Sequence, residues 1–143
     1  MIYRHTQRGT LILAACLASA ALAAVLSRLS GHWTAAFIVP VVMIVLAVLF
    51  SSLTVEVTDD GLRWYFGPGL WTYRLGFDEI ASVAVVRNRW WYGWGIRIGP
   101  GFRLYNVSGL DAVELRLHAS DARRIGTDDP DGLAAALRAH LNT

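Results

Sequence analysis

The sequence predicts an integral membrane protein in which two transmembrane helices precede an all-β domain that ends in a C-terminal helix. Three observations support this fold class. The chain of 143 residues is 55% hydrophobic with a mean hydropathy of +0.41, which exceeds the usual range for a water-soluble protein of this size. Two long apolar runs lie near the N-terminus. Beyond residue 53 the apolar residues recur with a period of two, which is typical of half-buried strands.

The two apolar runs predict a transmembrane hairpin over residues 1–53. The first predicted helix covers about residues 11–27 and the second about residues 33–52. At about 1.5 Å per residue, each run covers most of a hydrocarbon core that is about 30 Å thick. Only a short turn around Arg28 separates the runs, so an antiparallel pair is expected. Trp33 lies where an aromatic anchor at the lipid–water boundary is expected.

Two other interpretations of the N-terminus involve processing. Arg4 and Arg8 followed by an apolar stretch and the small residues at 21–23 are compatible with a cleaved signal peptide. Residues 13–16 resemble a lipoprotein signal that ends in the only cysteine of the chain. The apolar residues 11–15 before that cysteine are fewer than a signal region normally contains. The membrane anchor is therefore the favoured interpretation.

Charge predicts the orientation and argues against one class of partner. The N-terminal flank and the segment after the second run contain two Arg each, whereas the turn between the runs contains only Arg28. The positive-inside rule therefore places both termini in the cytoplasm and predicts a multi-pass protein of the plasma membrane. Residues 54–143 contain ten Arg and all eleven acids of the chain, interspersed with one another. This balance does not indicate a nucleic-acid partner.

The remainder of the chain predicts strands and one helix. Eight alternating segments indicate strands, at residues 53–58, 62–66, 70–75, 81–87, 95–98, 102–107, 112–118 and 122–127. A C-terminal helix is predicted over residues 129–141, because Pro130 suits a first helical turn and apolar residues recur along one face, at Leu133, Leu137 and Leu141.

Seven or eight short antiparallel strands followed by one helix resemble a pleckstrin-homology-like (PH-like) barrel. The chain resembles bacterial membrane proteins that have a PH-like domain behind transmembrane helices. The resemblance covers roughly residues 53–141 and rests on four segments, Val55–Leu62, Gly93–Arg97, Leu104–Gly109 and Ile125–Pro130. It implies a PH-like domain over residues 54–143, a location in the bacterial inner membrane, and scaffolding, oligomerisation or recognition of peptides or lipids. It implies no catalysis.

One segment of the β domain combines cationic and aromatic side chains. From Arg87 to Arg103 there are four Arg and no acid, interleaved with Trp. Trp rings favour the headgroup level of a bilayer, and Arg pairs with anionic phosphates. Contact with the membrane interface or with a partner is therefore predicted for Arg87, Arg89, Trp90, Trp91, Tyr92, Trp94 and Arg97. In the alternative interpretation, the Trp residues plug the core of a small barrel and the Arg residues form its solvated rim.

No catalytic, cofactor or metal site is predicted. The four His share no metal-ligand spacing, and the glycines at 93, 95, 99 and 101 are not followed by the Lys and Ser or Thr of a phosphate loop. The turn at Asp59–Gly61 is acidic, whereas PH domains that bind phosphoinositides have basic residues in the corresponding turn. Phosphoinositide binding at that turn is therefore disfavoured.

These observations favour a binding protein over an enzyme. The first hypothesis is a membrane-anchored PH-like adaptor, or accessory subunit of a membrane complex, that presents an interaction surface to a protein partner or to a second copy at the cytoplasmic face. The alternative is a membrane-surface module that senses anionic lipids through the segment of Arg and Trp. Membrane lipids are expected to contact the protein in both cases.

Overall fold

The computed structural model describes residues 1–119 and 121–142. It contains nine strands and three helices within those residues. In chain order the elements are β1 Tyr3–Arg8, α1 Thr10–Ser30, α2 Trp33–Leu49, β2 Ser52–Thr58, β3 Gly61–Phe66, β4 Thr72–Leu75, β5 Ile80–Arg87, β6 Gly95–Gly99, β7 Phe102–Asn106, β8 Asp111–Leu117, β9 Ala122–Gly126 and α3 Pro130–Leu141. Short 3-10 turns lie at Phe77–Glu79 and Trp90–Tyr92.

The strands form two sheets that enclose one core. The first sheet has the order β1-β2-β3-β4, and the second has the order β5-β8-β9-β7-β6. All eight strands predicted from the sequence are present. The prediction that every strand pair is antiparallel is wrong, because β7 and β9 are parallel. Since β9 lies between β7 and β8, which run in opposite directions, it must be parallel to one of them.

Strand β1 was not predicted, and it changes the composition of the first sheet. Tyr3–Arg8 pairs antiparallel with β2, from Tyr3 opposite Val57 to Arg8 opposite Ser52. Its sequence, YRHTQR, lacks the alternation of apolar residues that marks a half-buried strand. Residues 1–53 therefore do not form a helical hairpin alone, because their first residues belong to the β domain.

The two N-terminal helices differ in length from the prediction. α1 extends over Thr10–Ser30, and α2 ends at Leu49 although residues up to 52 were predicted to be helical. α2 ends before residue 52 because β2 begins there and pairs with β1 and β3. Between the two elements, the Phe50 ring packs edge-on against the Phe66 ring at 5.0 Å. Among the described residues, α1 is long and apolar enough to cross a membrane, whereas α2 is a shorter apolar helix of 17 residues.

The core lies between the two sheets and under α3. Asp129 caps α3, and its Oδ1 accepts a hydrogen bond from the Gly132 N–H at 3.2 Å. Leu133 and Leu137 are fully buried against the sheets, and Leu141 packs at the edge of the core. α1 and α2 contact each other, but nearly all of their large side chains stay outside this core. The β domain and α3 thus form a core without the two helices.

Candidate functional site

Several loops lie at the end of the β domain from which α1 and α2 extend, here called the helix-proximal end. The loop after β3 lies directly against the end of α2. The Gly67 N–H donates to the Ser52 carbonyl at 2.8 Å, and a Cβ on Gly67 would lie 2.6 Å from the carbonyl oxygens of Val48 and Leu49. With φ at +50°, this position favours glycine. The loop is thereby held under α2.

The turn between β7 and β8 lies beside the start of α1. The side-chain amide of Gln7 donates to the Ser108 carbonyl at 2.9 Å, and the hydroxyls of Thr10 and Ser108 are 3.3 Å apart. Buried Asn106 shapes the turn, because its Oδ1 accepts from the Val107 N–H at 2.9 Å. A Cβ at Gly126 would overlap the Asn106 side chain. Glycine in β9 therefore makes room for this turn.

The Arg/Trp segment, residues 87–97, begins and ends at this same turn. The Asn88 N–H donates to the Leu110 carbonyl at 2.7 Å. At the other end of the segment, the indole N–H of Trp94 donates to the Gly109 carbonyl at 3.0 Å. Both attachment points are within three residues of Ser108, which contacts β1 and α1. The segment is thus anchored at the helix-proximal end.

Five of the seven predicted contact residues are exposed, namely Arg87, Arg89, Trp90, Trp91 and Arg97. Trp90 and Trp91 lie in a 3-10 turn and expose 70% and 57% of their surface. The guanidinium of Arg89 lies 4.9 Å from the centre of the Trp91 ring, within the range of a cation–π contact. The alternative interpretation, in which these Trp residues plug the core, is therefore wrong for Trp90 and Trp91.

The other predicted residues have structural contacts. The Tyr92 ring packs against Phe102 at 5.2 Å and covers the outer face of the second sheet. The Nε of Arg97 donates to the Trp94 carbonyl at 3.1 Å. Arg87 forms an exposed ion pair with Asp111 at 3.3 Å. The segment therefore divides into an exposed tip and flanks that attach it to the sheet.

Two exposed apolar residues on the loop before β4 were not predicted from the sequence. Leu70 and Trp71 were assigned to a strand, but they precede β4 and expose 66% and 63% of their surface. They follow the loop that Gly67 holds under α2. The glycines and proline just before them were the available signal that the loop continues. The exposed apolar residues of both loops are here called the apolar collar, Leu70, Trp71, Trp90 and Trp91.

The buried carboxylates of the two sheets are paired with Arg. Glu56 is 2% exposed, and its carboxylate contacts Arg4 at 3.4 Å and also Arg63. Glu114 contacts Arg116 at 3.4 Å and Arg124 at 2.7 Å. Both carboxylates are therefore engaged in ion pairs within their own sheets.

Contacts also join β1 to the residues that begin α3. The Tyr3 hydroxyl donates to Asp129 Oδ2 at 2.8 Å, and His5 pairs with Asp128. Burial, with a smaller contribution from the hydrogen bond to Asp129, raises the pKa of Tyr3 above its ordinary value. Burial also raises the pKa of Tyr73, while the nearby charge of Arg103 acts in the opposite direction. These contacts tie the start of the chain to its C-terminal helix.

Comparisons of the chain with protein-family models, with curated proteins and with solved structures find no match. Within residues 1–119 and 121–142, no three His, Cys, Asp or Glu side chains are grouped closely enough to hold a metal ion. Any function must therefore be inferred from the surfaces that the chain itself exposes.

Proposed function

We propose that this protein is a membrane-anchored docking module of the bacterial plasma membrane. α1 and α2 cross the bilayer as a hairpin and hold a PH-like β domain at the cytoplasmic face, where it binds a protein partner. One observation carries the proposal. Only 11% of the most apolar stretch of α1 is buried inside the protein, and Ala47 is the only buried residue of α2 among those described. Apolar helices this exposed require an apolar surrounding.

The dimensions of the helices fit a bilayer. The 21 residues of α1 extend over about 31 Å, which matches a hydrocarbon core of about 30 Å. The 17 residues of α2 extend over about 26 Å, at the short end of what a crossing needs. Exposed Trp33 at the far end of the helices and the apolar collar at the near end would lie at the two interfaces.

The collar supports contact between the β domain and the inner leaflet. Trp90 and Trp91 are exposed beside Arg89, and both attachments of their segment lie at the end where the helices leave the domain. This position suits indole rings that partition to the headgroup level. It also favours one second candidate, a module that senses anionic lipids through the same tip. In both proposals, the surfaces of the two sheets that point away from the helices remain open to the cytoplasm.

A binding function is favoured over catalysis because the buried carboxylates are already occupied by structural contacts. The carboxylates of Glu56 and Glu114 are neutralised by Arg within their own sheets, and Asp129 caps α3 and accepts from Tyr3. Catalytic groups instead converge on a pocket with perturbed protonation. Neither Tyr3 nor Tyr73, whose pKa values are raised, lies beside such a converging set in the described part of the chain.

Contact between the apolar collar and the lipid interface is tested by quenching Trp fluorescence with brominated lipids in proteoliposomes of the full chain. We expect Trp90→Phe combined with Trp91→Phe to reduce the quenching clearly, whereas Trp64→Phe, at a buried core position, leaves it nearly unchanged. Equal quenching of the double variant and the parent protein would contradict contact of these two indole rings with lipid. Quenching that requires anionic lipid and falls with salt would favour the lipid-sensing candidate.

The docking function is tested by purifying the full chain in a mild detergent. The proposal expects a protein companion in a fixed molar ratio that remains bound through size-exclusion chromatography. A chain that elutes alone, from every mild detergent that keeps it folded, would contradict docking to a protein. Bound anionic lipid without a protein companion would support the second candidate.

A further inference from the structure

The two sheets leave one side of the β domain open, between β4 and β6. β4 is the last strand of the first sheet and β6 is the last strand of the second. Each of them therefore has one edge with unpaired backbone groups. The two edges face each other across a cavity of about 250 Å³ near the end of α2. Its lining residues are Leu49, Phe50, Phe66, Trp71, Tyr73 and Ile96. We call this space the β4–β6 cleft.

The floor of the cleft is aromatic and packed. The Tyr73 and Tyr105 rings lie 4.8 Å apart, and the Phe66 ring lies 6.3 Å from Tyr105. On β6, Ile96 and Ile98 stand opposite Tyr105 and Arg103, so they extend the face that Tyr105 turns toward the core. Ile98 is nevertheless 82% exposed. The core face of β6 thus continues past the point where the first sheet covers it.

The charged residues of the two wall strands, β4 and β6, are both Arg, although Arg74 also borders a surface depression that contains Asp60 and Glu79. The chain has no acid from residue 61 to 77 or from residue 80 to 110, the stretches that contain both walls. Arg74 alternates with Tyr73 along β4, and Arg97 alternates with Ile96 along β6. Both Arg side chains therefore lie on the solvent side of their edges, and both are exposed. An occupant would meet apolar groups toward the core and cations toward solvent.

We propose that the β4–β6 cleft binds an extended segment of a partner protein in which apolar residues alternate with acidic ones. This inference rests on the proposed docking function and names its surface. The segment adds a strand to the free edges through main-chain hydrogen bonds, its apolar side chains pack on Tyr73, Ile96 and the aromatic floor, and its carboxylates lie between Arg74 and Arg97.

Other occupants fit the cleft less well. A lipid acyl chain fills apolar space but leaves the unpaired backbone groups of β4 and β6 without partners. A second copy of this chain has the required alternation around Glu56 and Glu114, but both residues lie in paired central strands, β2 and β8. Neither segment is free to add to another edge unless its own sheet opens. A separate protein is therefore the occupant that matches.

The test uses the full chain in nanodiscs of zwitterionic lipid and amide hydrogen exchange as the readout. The probes are three seven-residue peptides: one alternates Val and Glu, a second contains the same residues in two blocks, and a third alternates Val and Lys. We expect the alternating acidic peptide alone to slow exchange in residues 72–75 and 95–99. Arg74→Glu combined with Arg97→Glu is expected to weaken its binding about tenfold. Arg138→Glu, at an exposed position of α3 away from the cleft, is the control and is expected to keep the affinity.

The cleft proposal would be overturned if no peptide slowed amide exchange in residues 72–75 and 95–99, or if the control peptides slowed it equally. It would also be overturned if anionic lipid alone slowed this exchange, or if the slowing depended on the concentration of the protein itself. Insertion is read separately, from elution of the chain with the nanodiscs. A natural partner that stays bound to the chain while these amides exchange freely would leave docking intact and overturn the cleft alone. A lone chain that still binds the acidic peptide would count against the proposed function and not against the cleft.

Discussion

The two regions of this molecule place their apolar residues in opposite environments. In the β domain, Leu115, Ile125 and Leu133 have no exposed surface and belong to one cluster shared by both sheets and α3. In the helices, Leu22 and Phe37 are no less apolar but expose 61% and 72% of their surface. Contact with water is unfavourable for such side chains, and burial removes it only in the β domain.

This difference indicates that the stability of the fold resides in the β domain and its C-terminal helix. Hydrophobic burial within the chain stabilises the β domain, because its core is complete without α1 and α2. The helices contact each other but leave their outer faces uncovered. The same kind of residue should therefore respond differently to substitution in the two regions.

The largest expected effect compares one substitution in both regions. Leu115→Ala removes a fully buried side chain from the core, and we expect a loss of about 2–5 kcal/mol in the free energy of unfolding of the β domain. Leu22→Ala, the matched change on exposed α1, should alter that free energy by less than about 0.5 kcal/mol. Denaturant unfolding in detergent, followed by Trp fluorescence, measures both values. Equal losses would mean that α1 belongs to the core of the domain.

A smaller effect is expected from the buried carboxylate of the first sheet. Glu56→Gln removes the charge that Arg4 and Arg63 share, and we expect a loss of about 1–3 kcal/mol. The Arg partners are partly exposed, so solvent screening keeps the loss below that of a fully buried pair. Glu79→Gln is the matched control on an exposed residue, because its amide oxygen can still accept from the Gly76 N–H. Similar losses in both variants would contradict a specific role for the Glu56 pairs.

The smallest expected effect concerns the contact between β1 and α3. The raised pKa of Tyr3 in the folded protein, due first to burial and then to Asp129, favours the neutral phenol. The unfolded chain ionises Tyr3 near pH 10.0, so this contribution to stability is full below that pH and declines as the pH rises above it. Tyr3→Phe should therefore lose less stability than the parent protein between pH 9 and pH 11. Parallel pH profiles of the two proteins would exclude this role for Tyr3.

The sequence predicts the parts of the fold that carry a periodic pattern. All eight strands with alternating apolar residues and the helix capped at Asp129 are present. β1 was missed because its core-facing positions are Tyr3, His5 and Gln7, whose burial depends on partners far along the chain. The parallel pairing of β9 depends on which strands it lies between, and local pattern does not encode that choice.

In the candidate site as well, features within one sequence segment could be predicted, whereas features that folding brings together could not. Composition identified Trp90 and Trp91 as candidate contact residues, because Arg and Trp cluster in one segment without acids, but it left a buried position equally open until the structure showed both exposed. Leu70 and Trp71 join them only through folding, because the loop after β3 is held under α2. The β4–β6 cleft is formed by two sheet edges that are about twenty residues apart in sequence. The sequence of either strand alone does not indicate that a cleft forms between them.

The central claim, that both helices lie in a bilayer with the β domain on the cytoplasmic side, is tested by cysteine accessibility in the Cys16→Ala background. A membrane-impermeant maleimide is added outside intact spheroplasts that make one of four variants, Leu29→Cys, Leu22→Cys, Ile44→Cys or Asp121→Cys. We predict labelling of Leu29→Cys, which lies in the last turn of α1 at the outer end of the hairpin, and no labelling of Leu22→Cys or Ile44→Cys. Asp121→Cys should be labelled only after the membrane is opened. Rapid labelling of Leu22→Cys and Ile44→Cys in closed spheroplasts would contradict the account.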